Sequence, residues 1–292
     1  MDPTAALLRL GGVGEAQSLR DAGASKEAIA NAVAAGKILR VRRGCYALPD
    51  ADSVRVAELA WHGVRTCVTA LNGLGLPVPE SEFIHLAVPA TRSFSGRNSR
   101  PPSNVLPHYF ERTLPRCTAA AIDAAARCLS KEDHLIAVDA ALHAGVLSLA
   151  DIAQFTLSSR ARRRFLLRYA DSRAESPPET LARLALMRVG IRPECQAWIA
   201  GVGRVDMLIN RWLIVEIDGE KYHVGEPAFK NDRRRDRAAQ LGDLMVLRYP
   251  ASVARFSAEL IVAEVKSALS NGPIVIRSAS PLVTVRRRSD TP

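Results

Sequence analysis

WLIVEI, at residues 212–217, is an almost unbroken run of apolar, strand-forming residues, the pattern of a central strand covered on both faces. Yet it holds Glu216, and Asp218 follows two residues on. A carboxylate on a buried strand is costly unless a cation or hydrogen-bond donors compensate it. The preceding strand, Arg204–Ile209, carries Asp206, so the turn between the strands decides whether the acids meet. A two-residue turn, Asn210–Arg211, sets Asp206 opposite Val215 and turns Glu216 to the other face. A three-residue turn, Asn210–Trp212, sets Asp206 opposite Glu216 and Arg204 opposite Asp218, with Cβ atoms ~4.5–5.5 Å apart. The second register lets two carboxylates share a divalent ion, and a metal centre of Asp206, Glu216 and Asp218 requires it. Such oxygen donors suit Mg2+, with Mn2+ as a substitute. An ion there would polarise a phosphate ester and acidify an attacking water.

The flanking residues extend this reading. His223 follows Gly219 by four residues, in reach of general-base work or leaving-group stabilisation; the plain alternative is a surface histidine after a turn. Lys221 shares that loop and could steady a phosphate, or be simply solvated. The next helix, roughly 228–241, carries Asp232, Arg233, Arg234, Arg235 and Asp236. Salt-bridging at i, i+3 and i, i+4 would explain the run. Beside an acidic centre, the arginines would equally clamp DNA phosphates. Upstream, Ser176-Pro177-Pro178-Glu179 opens a helix to about Val189, with Ser176 as N-cap and Glu179 at the capping-box position. Glu179 is therefore a cap, a further acid reaching the site, or both.

With 292 residues, the chain has room for two or three small domains. Arginine clusters at 40–43, 160–164, 233–237 and 286–288 contribute to a net charge of +10, which favours a polyanionic partner. No stretch is long and apolar enough for a membrane helix, and MDPTAALLRL does not read as a secretory leader. A cytoplasmic location follows as the expectation. Five cysteines stand singly, with no CxxC pair, so neither a disulfide framework nor a zinc cluster is expected. His62, His85, His108, His134 and His143 show no ligand spacing and read as capping or surface residues.

Residues 13–48 read as helix, turn, helix and a two-stranded hairpin turning at Arg43–Gly44. That is the order of a winged helix-turn-helix. Lys26 and Asn31 fall on its second helix, while Arg40 and Arg42, with Arg43, lie on the wing, placed to meet phosphates and base edges. A small protein-interaction module is the alternative. Residues 51–170 read as mainly helical, interrupted by a strand at 84–88 and a polar loop at 89–104; RARRR (160–164) reads as a solvated helix face. DSRAESPP (171–178) reads as a linker into a third domain at 176–270, and 271–292 as a tail or edge strands.

EAQSLRDAGASKEAIANAVAAGKILRVRRGCYALP resembles the N-terminal winged-helix domain of AbiEi-type antitoxins, over residues 10–50. That resemblance implies DNA binding or autoregulation. VDMLI, VEIDGxxxH and DRRRDRAAQLGDLMVLR resemble the Vsr-like branch of the PD-(D/E)XK nuclease superfamily, the very-short-patch-repair endonucleases and relatives, over 176–269. This implies a restriction-endonuclease-like mixed sheet flanked by helices, and metal-dependent phosphodiester hydrolysis. Asp206 becomes the principal metal ligand, Glu216 and Asp218 the strand acids, His223 the catalytic histidine and Glu179 the helix acid. The superfamily lysine is replaced by Asp218, and the zinc-binding cysteines of the mismatch enzymes are missing, so no zinc is expected. The whole is an α+β to α/β protein, read as a Mg2+-dependent endonuclease acting on double-stranded DNA. By resemblance it would serve phage defence or a toxin–antitoxin-like locus, as a homodimer or with a partner protein encoded nearby. The alternative is a non-enzymatic DNA-binding regulator or antitoxin with an inactive nuclease fold.

Overall fold

The computed structural model describes residues 1–90, 104–111, 116–219, 235, 237–239 and 241–273. It is an α+β structure that divides into two compact units, Met1–Thr180 and Leu181–Pro292. No helix among the described residues is long and apolar enough to cross a membrane.

The first unit begins with α1 (Pro3–Arg9), β1 (Val13–Glu15), α2 (Ala16–Asp21), α3 (Lys26–Ala34), β2 (Leu39–Arg42) and β3 (Cys45–Ala47). Short strands pair in the order β1-β3-β2, all antiparallel. The Ser25 hydroxyl caps α3 by accepting from the Ala28 amide. Ile29 and Ala32 of this helix join Leu7, Leu19, Ile38 and Leu48 in one apolar cluster, with Val33 packed at its margin. α1 and β1 are elements the sequence reading did not separate out.

α4 (Ser53–Trp61), β4 (Val64–Arg65), α5 (Cys67–Gly73), β5 (Ile84–Pro89) and β6 (Val105–Phe110) follow, then α6 (Thr118–Ala125), α7 (Lys131–His143), α8 (Leu149–Ala153) and α9 (Arg160–Tyr169). The region is less uniformly helical than expected, because β4, β5 and β6 form a sheet of their own, with β5 and β6 parallel. VLPHYF is too short and too broken by Pro107 to announce a strand by itself. Its backbone finds a partner in β5.

Buried polar groups hold the helices together. The Asp123 carboxylate is almost inaccessible and accepts from the amides of Thr156, Leu157 and Ser158 at 2.7, 2.8 and 2.7 Å. Asp139, equally buried, accepts from the Asp171 amide and the Thr180 hydroxyl. The expected linker at 171–178 is thus anchored at its start. RARRR is also not simply a solvated face. Arg162 donates to the Ser130 carbonyl at 2.7 Å and Arg163 to that of Phe155, while Arg160 and Arg164 stay exposed.

The unit boundary falls within α10 (Pro177–Arg188). The second unit contains β7 (Glu194–Ile199), β8 (Gly203–Ile209), β9 (Leu213–Asp218), a helix α11 described at residues 235, 237–239 and 241, β10 (Met245–Pro250), α12 (Ala251–Phe256) and α13 (Ala258–Asn271). The sheet runs β10-β9-β8-β7, antiparallel except that β10 is parallel to β9. Such a parallel pair needs a crossover rather than a hairpin. β9 is buried on both sides, as its apolar run requires. Leu213, Val215 and Ile217 cluster with Ala182, Leu186, Ile261 and Val265, and Ile214 clusters with Val205 and Ala239. The single helix expected over 253–269 is two, α12 and α13, broken at Ser257 (φ −148°).

His134 on α7 supplies a pH test. It is fully buried, its Nε2 donates to the Ile122 carbonyl at 2.9 Å, and Arg162 lies against Nδ1. Burial, reinforced by the Arg162 charge, lowers its pKa from 6.5 to about 4. The unfolded chain therefore binds a proton that the folded chain refuses between those values. Stability is complete above pH 6.5 and falls as the pH drops towards 4, by about 1.4 kcal/mol per pH unit for this group. Urea unfolding between pH 7 and 4.5 should show this slope, and His134→Gln should remove about one proton's share of it. An unchanged slope in the variant would refute the assignment.

Candidate functional site

The β8–β9 connection settles the geometry of the acids. Asn210 and Arg211 are both left-handed, with φ of 50° and 68°, and the Trp212 amide donates to the Ile209 carbonyl at 3.2 Å. That is the arrangement of a type I′ turn. Trp212 then stands as one additional residue before the ladder begins, and pairing runs Ile209 with Leu213, Leu208 with Ile214 and Met207 with Val215. The Trp212 carbonyl is itself occupied, accepting from the Met245 amide at 2.9 Å. One step further along this register lie Asp206 and Glu216.

Regular pairing stops there because Asp206 replaces a backbone acceptor: its Oδ2 accepts from the Ile217 amide at 2.8 Å. Gln196, across from Asp206 on β7, is left-handed (φ 52°) and stands in a gap between the Cys195–Met207 and Ala197–Val205 pairs. Residues two apart normally share a face. Here Cys195 and Met207 belong to one cluster and Ala197 and Val205 to the other, so both strands reverse faces at Asp206.

Glu216 is held between two cations. Its Oε1 accepts from Arg235 of α11 and its Oε2 from Arg248 of β10, each at 2.8 Å. Arg248 is the cross-strand neighbour of Glu216, and Arg235 also donates to the Arg204 carbonyl at 2.7 Å. This explains how a strand with an apolar core tolerates the carboxylate: two charge-assisted bonds replace its water. Asp218 is exposed at the end of β9, level with Pro250.

Asp206, Glu216 and Asp218 thus lie on adjoining strands without closing on one point. Among the described residues they do not form a three-donor group within single-ion distance. Glu179 is occupied at the start of α10, where its carboxylate accepts from the Glu175 amide at 3.1 Å and the Ser176 hydroxyl at 2.7 Å. His223, Lys221, Arg233 and Arg234 lie outside the described residues. In the first unit, Lys26, Asn31, Arg40 and Arg43 are exposed. Arg42 turns inward, donating to the Ala60 carbonyl at 2.9 Å with its guanidinium 4.9 Å from the centroid of the Trp61 ring. Sequence reasoning passed over Arg248, whose spacing from Glu216 acquires meaning only through parallel pairing.

The structure does gather one set of metal donors, and it is a different set. Cys67, His85, His108 and Cys128 place one ligand atom each within 4.8 Å of all the others. This corrects two expectations. His85 and His108 are buried rather than surface residues, and two of the scattered cysteines do converge. Zinc, not expected from the sequence, suits this thiol–imidazole set better than Mg2+ does. Burial lowers the pKa of His85, and burial with the charges of His85 and Arg127 lowers that of His108 to about 4, so both rings are neutral at pH 7. Burial, then the nearby Cys128, raises the Cys67 thiol.

What the fold and sites define is an α+β protein with an arginine-held acidic pair in one unit and a cysteine–histidine donor cluster in the other. No protein-family model matches the chain. Two uncharacterized proteins of Mycobacterium tuberculosis, MT2308 (strain CDC 1551 / Oshkosh) and Rv2248 (strain ATCC 25618 / H37Rv), are each 30% identical to it over 227 residues, which span 68% of this chain and 80% of each relative. The chain belongs to the family of these two proteins.

Removing the Glu216 carboxylate leaves Arg235 and Arg248 facing each other, half-buried. Glu216→Ala should cost about 1–3 kcal/mol in urea unfolding, by loss of charge-assisted bonds from partly screened groups. Adding Arg235→Ala should cost less than the sum of the single changes. Strict additivity would show that the bridge contributes nothing.

Proposed function

We propose that this protein binds double-stranded DNA and cleaves it as a metal-dependent endonuclease. The reading is carried by the β8–β9 register, which brings Asp206 and Glu216 into neighbouring positions beside Asp218. The order α10, β7, β8, β9, α11, β10 agrees with the resemblance to PD-(D/E)XK nucleases. In the first unit, the order helix, strand, helix, helix, strand, strand with β1-β3-β2 pairing supports a winged helix, with Lys26, Asn31, Arg40 and Arg43 as the residues free to meet DNA. Arg42 is withdrawn from that role by its packing on Trp61.

Mg2+ is held through one or two carboxylates and retained waters, so Asp206 and Glu216 suffice in number. Glu216 must first exchange an arginine for the ion. Once bound, the ion would polarise the scissile phosphate. Arg235 and Arg248, released from Glu216, would then face the phosphate backbone with bidentate donors. Asp218, on the same strand, is the further acid of the set.

A second reading has its own observation. Both Glu216 oxygens are already satisfied by arginine, which suits a DNA-binding regulator or antitoxin that performs no hydrolysis. Incubating the full chain with supercoiled plasmid, with Mg2+, Mn2+ or EDTA, separates the two. The nuclease reading expects nicked or linear product only with metal, reduced at least 100-fold by Asp206→Ala while DNA binding persists. Salt-dependent binding with no cleavage under any metal condition would leave the regulator standing. Lys26→Ala with Arg40→Ala should weaken binding in either case.

A further inference from the structure

We propose that Cys67, His85, His108 and Cys128 form a structural zinc site in the first unit, independent of the acids of the second. The donors come from four separate places: the start of α5, the parallel neighbours β5 and β6, and the turn after α6. His85 is level with Leu106, and His108 with Ala87, so the histidines share a face of the β5–β6 pair, offset by two residues.

The distances suit a tetrahedral ion. His85 Nδ1 and His108 Nε2 are 3.1 Å apart, and Cys128 Sγ lies 3.7 Å from the same His108 nitrogen. Zinc bonds of ~2.0–2.1 Å to nitrogen and ~2.3 Å to sulfur imply tetrahedral edges of about 3.4 Å between nitrogens and about 3.6 Å between nitrogen and sulfur. The observed separations bracket those edges, so little movement is needed to close the shell.

The surroundings also prepare it. Ser81 Oγ donates to the Phe83 carbonyl at 3.2 Å, and stands 3.1 Å from His85 Nε2. With its hydroxyl proton so used, Ser81 accepts from Nε2–H, which leaves the Nδ1 lone pair aimed at the cluster. An outer partner that selects the tautomer is the usual companion of a metal-bound histidine. Cys67 is held left-handed, with φ of 50°, a strained conformation for a residue with a β-carbon. Its thiol is fully buried, whereas Cys128 is exposed and gives the ion an entrance.

Two thiolates and two imidazoles favour zinc over the oxygen-seeking Mg2+ and Ca2+. Four protein ligands leave no open position, so the role is structural rather than catalytic. A zinc ion would clip α5 and the end of α6 to the β5–β6 pair, in a region where short strands supply little core of their own. A simple Cys67–Cys128 disulfide would give no purpose to the two histidines buried beside it.

The full chain, purified from zinc-supplemented medium and freed of loose metal by gel filtration, should carry one zinc per chain by plasma mass spectrometry. Replacement by Co2+ should give the intense visible bands of tetrahedral cobalt and a thiolate-to-cobalt charge-transfer band near the ultraviolet. The pair Cys128→Ser and His85→Gln should lose both signals, and Cys117→Ser should keep them. The unaltered protein provides a reading that needs no variant: a strong chelator should release the zinc, lower Tm, and expose Cys67 to a thiol reagent. A zinc-poor protein whose cobalt spectrum is octahedral would overturn the proposal. So would full metal content in the double variant, or a Cys67–Cys128 disulfide in the protein isolated without reductant.

Discussion

The constraint on which the acidic centre depends is a single additional residue in a hairpin. With both turn residues left-handed, the Asn210–Arg211 turn could have returned the chain with Ile209 opposite Trp212. Instead the ladder begins at Leu213, with the carbonyl of Trp212 engaged by β10. Because side chains alternate along a strand, that one position determines whether Asp206 and Glu216 are neighbours. It also places Leu213, Val215 and Ile217 against α10 and α13 rather than away from them. The packing of the second unit and the placing of its acids are thus one fact.

Both units show how this chain carries charge and polarity inside apolar surroundings. Asp123 replaces its water with three amides, Asp139 with an amide and a hydroxyl, and Glu216 with two guanidinium groups. A buried polar group with a full set of partners stabilises one arrangement against its alternatives, since any other leaves donors unmet. The cysteine–histidine group is different in kind. Its members are arranged about a common point, at separations that suit bonds to an ion, and one of them is oriented by a hydroxyl outside the group.

The two proposed roles, DNA handling and zinc binding, rest on separate observations. The nucleic-acid reading draws on excess positive charge, exposed basic residues of the N-terminal elements, and arginines at an acidic strand pair. The zinc reading draws on interatomic distances in the β4–β5–β6 region. Either could fail without touching the other. Together they give the uncharacterized family of this chain two specific chemical questions.

Much of the architecture was legible from residue order alone. Ser25 before an amphipathic run marks α3, Ser176 with Pro177 and Glu179 marks the start of α10, and WLIVEI marks a doubly covered strand, because caps and apolar periodicity are local properties. The sequence also narrowed the β8–β9 hairpin to two registers, but could not choose between them: that choice lies in packing against β10 and α13. Arg42 shows the same limit, since an arginine on a wing cannot announce that Trp61 and the Ala60 carbonyl will draw it inward. The donor cluster was invisible for a stronger reason. Its histidines stand 23 residues apart, and Cys128 stands 20 beyond the second, with no local motif to join them. Local patterning told what each segment would become, whereas only the parallel pairing of β5 with β6, and the helices packed beside it, could decide that four isolated residues would meet.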